Sequence, residues 1–97
     1  MKHYVVIHDY AVELGEVTST GVVITAVAHT PEEAKMILAK ASSGERDYAY
    51  ENHWNIRTDN DNEFDAGEEN NYDREHSHFY IEEVDDYKLT INNKEEN

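Results

Sequence analysis

Cysteine is absent from these 97 residues. That excludes disulfide scaffolds, cysteine-type zinc fingers and thiol catalysis. Basic residues are scarce: 8 Lys and Arg stand against 22 Asp and Glu, a formal charge of −14. A binder that neutralises phosphates needs Lys and Arg, so the usual basic nucleic-acid reader is excluded, as is attachment to an anionic membrane surface. No apolar run approaches the 18 residues of a membrane span. Met1 to Tyr10 lacks a charged start followed by a purely apolar stretch, so no secretion signal is read there. The four glycines, Gly15, Gly21, Gly44 and Gly67, are far apart, which leaves no phosphate loop, dinucleotide fingerprint or nucleophile elbow. The expectation is a small, acidic, cytoplasmic protein of one domain, with a modest core because a chain this short buries a limited share of its surface.

What the sequence does have is unevenly placed. Residues 1–44 carry 5 acids and 3 bases, and residues 45–97 carry 17 acids and 5 bases. The densest stretch, Thr58 to Asp86, holds 12 acids against Arg74 alone. Neither half has enough apolar residues for its own core, so one domain over residues 1–91 is expected, with 92–97 as a disordered tail.

The elements read as follows. His3 to Leu14 is a strand with apolar residues on both faces, as a central strand would have. Gly15 to Gly21 reads as a loop, and Val22 to His29 as a second strand pairing antiparallel with the first. Thr30 is a good N-cap, Pro31 suits the first helical position, and Glu33 completes a Thr-x-x-Glu capping box. Ala34, Ile37, Leu38, Ala41 and Tyr48 keep helical spacing to about Glu51, with Gly44 as a weak point. Trp54 to Ile56 reads as a short strand, Asp59 to Glu75 as an acidic loop, and His76 to Val84 as a strand. On that strand Phe79 and Ile81 face the core while His76, His78 and Tyr80 line the other side. Tyr87, Leu89 and Ile91 suggest a last strand. The fold expected is α+β: an antiparallel sheet of four to five strands, order β-β-α-β-β, with one long helix on one face.

Two constellations stand out. Asp59, Asp61, Glu63 and Asp65 alternate like the start of an EF-hand loop, but the sixth position is Phe64 rather than glycine and the twelfth is Asn70 rather than glutamate, so calcium is not expected. The second is His76-Ser77-His78. Residues two apart on a strand project to the same side, so both imidazoles are candidate ligands of one ion. Zinc would then need further ligands, with His53, Asp59 and Asp61 as candidates, and would serve as a structural cross-link. Paired carboxylates are too common here to indicate any one reaction, and no catalytic role is expected.

Carboxylates at regular intervals can also imitate the charge of nucleic acid and attract a basic protein channel. Small size, acidity, lack of cysteine and one helix on a short sheet make the chain similar in type to the anti-CRISPR proteins of phages that act on type II RNA-guided nucleases. The segments that carry the resemblance are the hairpin into Thr30-Pro31-Glu32-Glu33 and the acidic Asp59 to Glu75 stretch before His76-Ser77-His78-Phe79-Tyr80-Ile81. The resemblance implies a stoichiometric inhibitor, a DNA mimic that blocks DNA loading or cleavage without itself touching nucleic acid. Such a nuclease holds its heteroduplex in a positively charged channel. The contact surface expected on that basis is Asp59, Asp61, Glu63, Asp65, Glu68 and Glu69, with Phe64 and Tyr72 as apolar anchors. Two other readings stay open: a small zinc-binding accessory protein, and an acidic interaction domain whose partner is an unrelated host protein.

Overall fold

The computed structural model describes residues 1–69 and 73–85. Tyr72, the expected strand at Tyr87 to Ile91 and the expected tail at 92–97 lie outside the described residues. The elements run β1 (Lys2–Leu14), β2 (Val17–Ala28), α1 (Pro31–Glu51), β3 (Asn55–Asp59), β4 (Glu63–Glu69) and β5 (Asp73–Asp85). The five strands form one antiparallel sheet in the order β2-β1-β5-β4-β3. This is the α+β fold with one helix on one face that the sequence predicts. None of the described helices is long and apolar enough to cross a membrane.

Two segments differ from expectation. Gly15 to Gly21 is mostly strand: β2 begins at Val17, leaving Gly15 and Glu16 as a two-residue turn with Gly15 at φ 62°. A glycine with positive φ lets the strands reverse without splaying, and Thr18 and Thr20 tolerate an extended backbone well. The acidic loop is also largely strand, because β4 occupies Glu63–Glu69. Phe64 and Ala66 face the helix, and the acids between them face away and find cationic or imidazole partners across the sheet.

The helix begins and ends as its local chemistry dictates. Thr30 Oγ1 accepts from the Glu33 amide at 3.1 Å, and Glu33 Oε2 accepts from the His29 amide at 3.4 Å. At the other end His53 takes φ 58°. The Trp54 amide donates to the Ala49 carbonyl at 2.9 Å and the His53 amide to Tyr50 at 3.3 Å. This is a Schellman ending with histidine where glycine is usual. The helix runs through Gly44 unbroken.

Ala34, Ser42 and Ala49 are small, and all three are fully buried on the helix's sheet-facing side with Leu38. Their size lets the helix approach Val6, Ala28, Phe64, Ala66 and Phe79 closely enough to exclude water. Trp54, just past the helix, closes one end of this core. Among the described residues no helix covers the opposite face of the sheet. Its β2–β1 side is apolar, with Val22, Ile24 and Val27 exposed beside Val5 and Ile7. Its β5–β4 side carries His76, His78, Glu63 and Asp65.

Candidate functional site

The described residues present two sites, one on each face of the sheet. The first is a cleft of about 560 Å³ between the C-terminal half of α1 and the helix-facing side of β1 and β5. It exists because β1, β2 and β5 are long and extend beyond the small side chains that seat the helix. Its walls include His8, Tyr10, Tyr48 and Trp54, with Glu45 and Glu75 among the carboxylates. Tyr48 and Trp54 meet edge to face at 5.4 Å. Tyr10 lies over Gly21 on the neighbouring strand, where an added Cβ would come within 2.7 Å of the phenol oxygen. Gly21 therefore sets the position of that ring. A second, smaller hollow shares Tyr48 and Glu75 and adds Glu68 and Asp73.

The electrostatics of this cleft are one-sided. Burial raises the Glu75 carboxyl above the ordinary value for glutamate, and the neighbouring acids Glu68, Glu45 and Asp73 raise it further. Trp54 Nε1 is buried with no hydrogen-bond partner among the described residues. His8 stacks flat on Phe79 at 3.9 Å, and burial lowers its pKa. His8 Nε2 and Ser77 Oγ are 2.8 Å apart. That is a nucleophile–base distance, but Ser77 sits mid-strand with Tyr10 opposite on one side and Ala66 on the other. Amides engaged in two ladders do not form an oxyanion hole, and the pair is better explained as a buried hydroxyl satisfied by an imidazole.

The second site lies on the open face. Asp9 on β1 is directly opposite His78 on β5, and Asp65 on β4 is opposite His78 from the other side. His78 Nε2 is 2.5 Å from Glu63 Oε2, and His76 Nδ1 is 3.8 Å from Asp65 Oδ1. One ligating atom from each of Asp9, His76 and His78 can be chosen so that all lie within 4.8 Å of one another.

The residues singled out in the sequence divide accordingly. His76 and His78 are brought together, but the carboxylate that joins them is Asp9. His53 is exposed at the helix end. Asp59 accepts from Arg46 at 3.0 Å and from Tyr50 at 2.6 Å, while Asp61 is exposed in the β3–β4 turn. In that turn Asn60 Oδ1 accepts from the Asn62 and Glu63 amides at 2.8 and 3.0 Å, a hairpin turn rather than a cation loop. Of the expected contact surface, Asp65 pairs with Arg57 at 3.2 Å and Glu69 with Arg74 at 3.5 Å. Phe64 is fully buried, so it is a core residue and not a surface anchor. Glu68 lines the smaller hollow beside the cleft.

The cleft went unread in the sequence because it joins residues from β1, α1 and β5 that only the register brings together. Comparison with known proteins adds nothing to this geometry: no family pattern, no curated sequence and no solved structure matches the chain.

Proposed function

We propose that the chain is a non-catalytic, stoichiometric binding protein that inhibits a partner with a basic surface, and that the partner is a guide-loaded type II CRISPR nuclease. The observation that carries the binding half of this reading is the cleft. Tyr10, Tyr48 and Trp54 stand beside Glu45 and Glu75 in one hollow. Aromatic faces attract a cation, and carboxylates at the same place pair with it. A lysine or arginine side chain of a partner satisfies both. The charge of −14 steers such a partner from a distance. The choice of nuclease comes from the resemblance in type to anti-CRISPR proteins, whose targets hold nucleic acid in basic channels.

The working surface on this reading is the cleft and the adjoining hollow at Glu68, more than the turn at Asp59 to Asp65, where several of the acids already have partners within the fold. Binding is tested by isothermal titration of the nuclease with the wild-type chain and with a Glu45→Lys, Glu75→Lys double variant. Saturation near one-to-one with the wild type, and loss of at least tenfold in affinity with the double variant, is the expected result. Equal binding by both would remove the cleft from the interface. A partner unrelated to nucleic acid would leave cleavage untouched while still binding through the cleft.

A further inference from the structure

We propose that Asp9, His76 and His78 form a binding site for one zinc ion on the open face of the sheet. The argument does not use the partner reading: Asp9 and His78 lie on the open face, and His76, which also borders the cleft, shares that face with them.

The placement follows from strand geometry. His76 and His78 are two apart on β5 and share a face. The antiparallel register sets Asp9 directly opposite His78. The residue opposite His76 on β4 is Gly67, and the Arg57 guanidinium reaches over it, 3.2 and 3.3 Å from where a Cβ would lie. An added Cβ at Gly67 would come within 2.7 Å of the Glu75 carbonyl oxygen, so the position cannot easily be occupied by anything larger. Asp9, His76 and His78 are all half-buried, so their donor atoms are held by packing yet open to solvent.

The donor set selects the ion. Two imidazoles and one carboxylate, without thiolate, suit zinc; calcium and magnesium require a cage of oxygens that this site does not offer. Three protein ligands leave a fourth, tetrahedral position to solvent. Around them Glu63 touches His78 and Asp65 lies near His76. A carboxylate against a ligating histidine fixes the ring and raises its basicity, the usual outer support of a bound zinc. Asp9, Glu63 and Asp65 also place three negative charges around two imidazoles, with Arg57 as a counter-charge at Asp65, and a divalent cation relieves their mutual repulsion.

The test is titration of the metal-stripped full chain with zinc chloride by calorimetry, followed by cobalt substitution and by imidazole NMR. One zinc per chain is expected. The cobalt form should show the intense visible absorption of four-coordinate geometry, and the His76 and His78 ring signals should shift while those of His29 and His53 do not. His76→Gln, His78→Gln and Asp9→Asn should each weaken binding at least tenfold, and His53→Gln should leave it unchanged. Failure to bind zinc at millimolar concentration would overturn the site. So would undiminished binding by His76→Gln and His78→Gln, or calcium displacing zinc at equal concentration, because either would place the ion in the general acidic field. The NMR arm uses the wild-type chain, so it decides the matter even where a variant folds poorly.

Discussion

Replacing Phe64 separates a core role from a surface role for the acidic segment. The ring is fully buried, sits opposite Phe79 in the ladder, and has the Arg46 guanidinium 4.9 Å from its centroid. Arg46 in turn donates to Asp59 at 3.0 Å, so the ring anchors the β3–β4 hairpin to the helix. Truncating a buried phenylalanine to alanine costs about 3–5 kcal/mol. A domain of this size has about 5–15 kcal/mol in all. Phe64→Ala should therefore remove a large share of the stability and lower Tm by about 15–30 °C. Trp54, the single tryptophan and 8% exposed, reports unfolding by its fluorescence in urea or on heating. A Phe64→Ala protein that unfolds within about 1 kcal/mol of the wild type would refute the placement of this ring in the core. A surface anchor would show that pattern together with lost partner binding.

Other substitutions probe the helix and its hairpin. Ser42 is fully buried and its hydroxyl has no partner among the described residues, so Ser42→Ala should raise stability by about 1 kcal/mol in urea denaturation, and a loss of that size would mean that the hydroxyl is satisfied. Gly44 lies inside α1 with open space where a Cβ would go, so Gly44→Ala should stabilise by about 1 kcal/mol; a decrease in Tm would show that the position needs glycine. The hydrogen bond from Tyr50 to Asp59, aided by burial and the nearby charge, raises the Tyr50 pKa above its ordinary 10.0. The folded state then holds that proton more tightly than the unfolded state, so the stabilisation is complete below the ordinary value and lost as pH rises through the raised one. Tyr50→Phe should be less stable than the wild type at neutral pH, with the gap closing in strong alkali; a gap independent of pH would contradict the bond.

The parts of the fold legible in the sequence are those fixed by local chemistry. Thr30, Pro31 and Glu33 mark the helix start because capping acts within one turn. The alternation from Ser77 to Ile81 gave the correct core face of β5 because strand period is a property of neighbouring residues. β4 was not legible: Glu63 and Asp65 make it look like a loop, and only the imidazole of His78 and the guanidinium of Arg57, from other strands, make those acids tolerable in a sheet. His76 and His78 could be paired from their spacing alone. Asp9 could not be joined to them, since that contact depends on the β1–β5 register, which spacing does not encode. The cleft is the same case on a larger scale, with Tyr10, Tyr48 and Glu75 drawn from three elements. His53, a candidate ligand from its place beside Trp54, stands exposed in the structure, and its backbone at φ 58° ends the helix.

The central claim is stoichiometric inhibition of a basic, nucleic-acid-handling enzyme. Its most direct test is DNA cleavage by guide-loaded type II nucleases from several hosts, titrated with the purified chain at fixed salt. The account predicts that cleavage by at least one of them falls to a floor near one chain per nuclease, and that the Glu45→Lys, Glu75→Lys variant needs a large excess to reach it. Cleavage unchanged at large excess across all of them would contradict it.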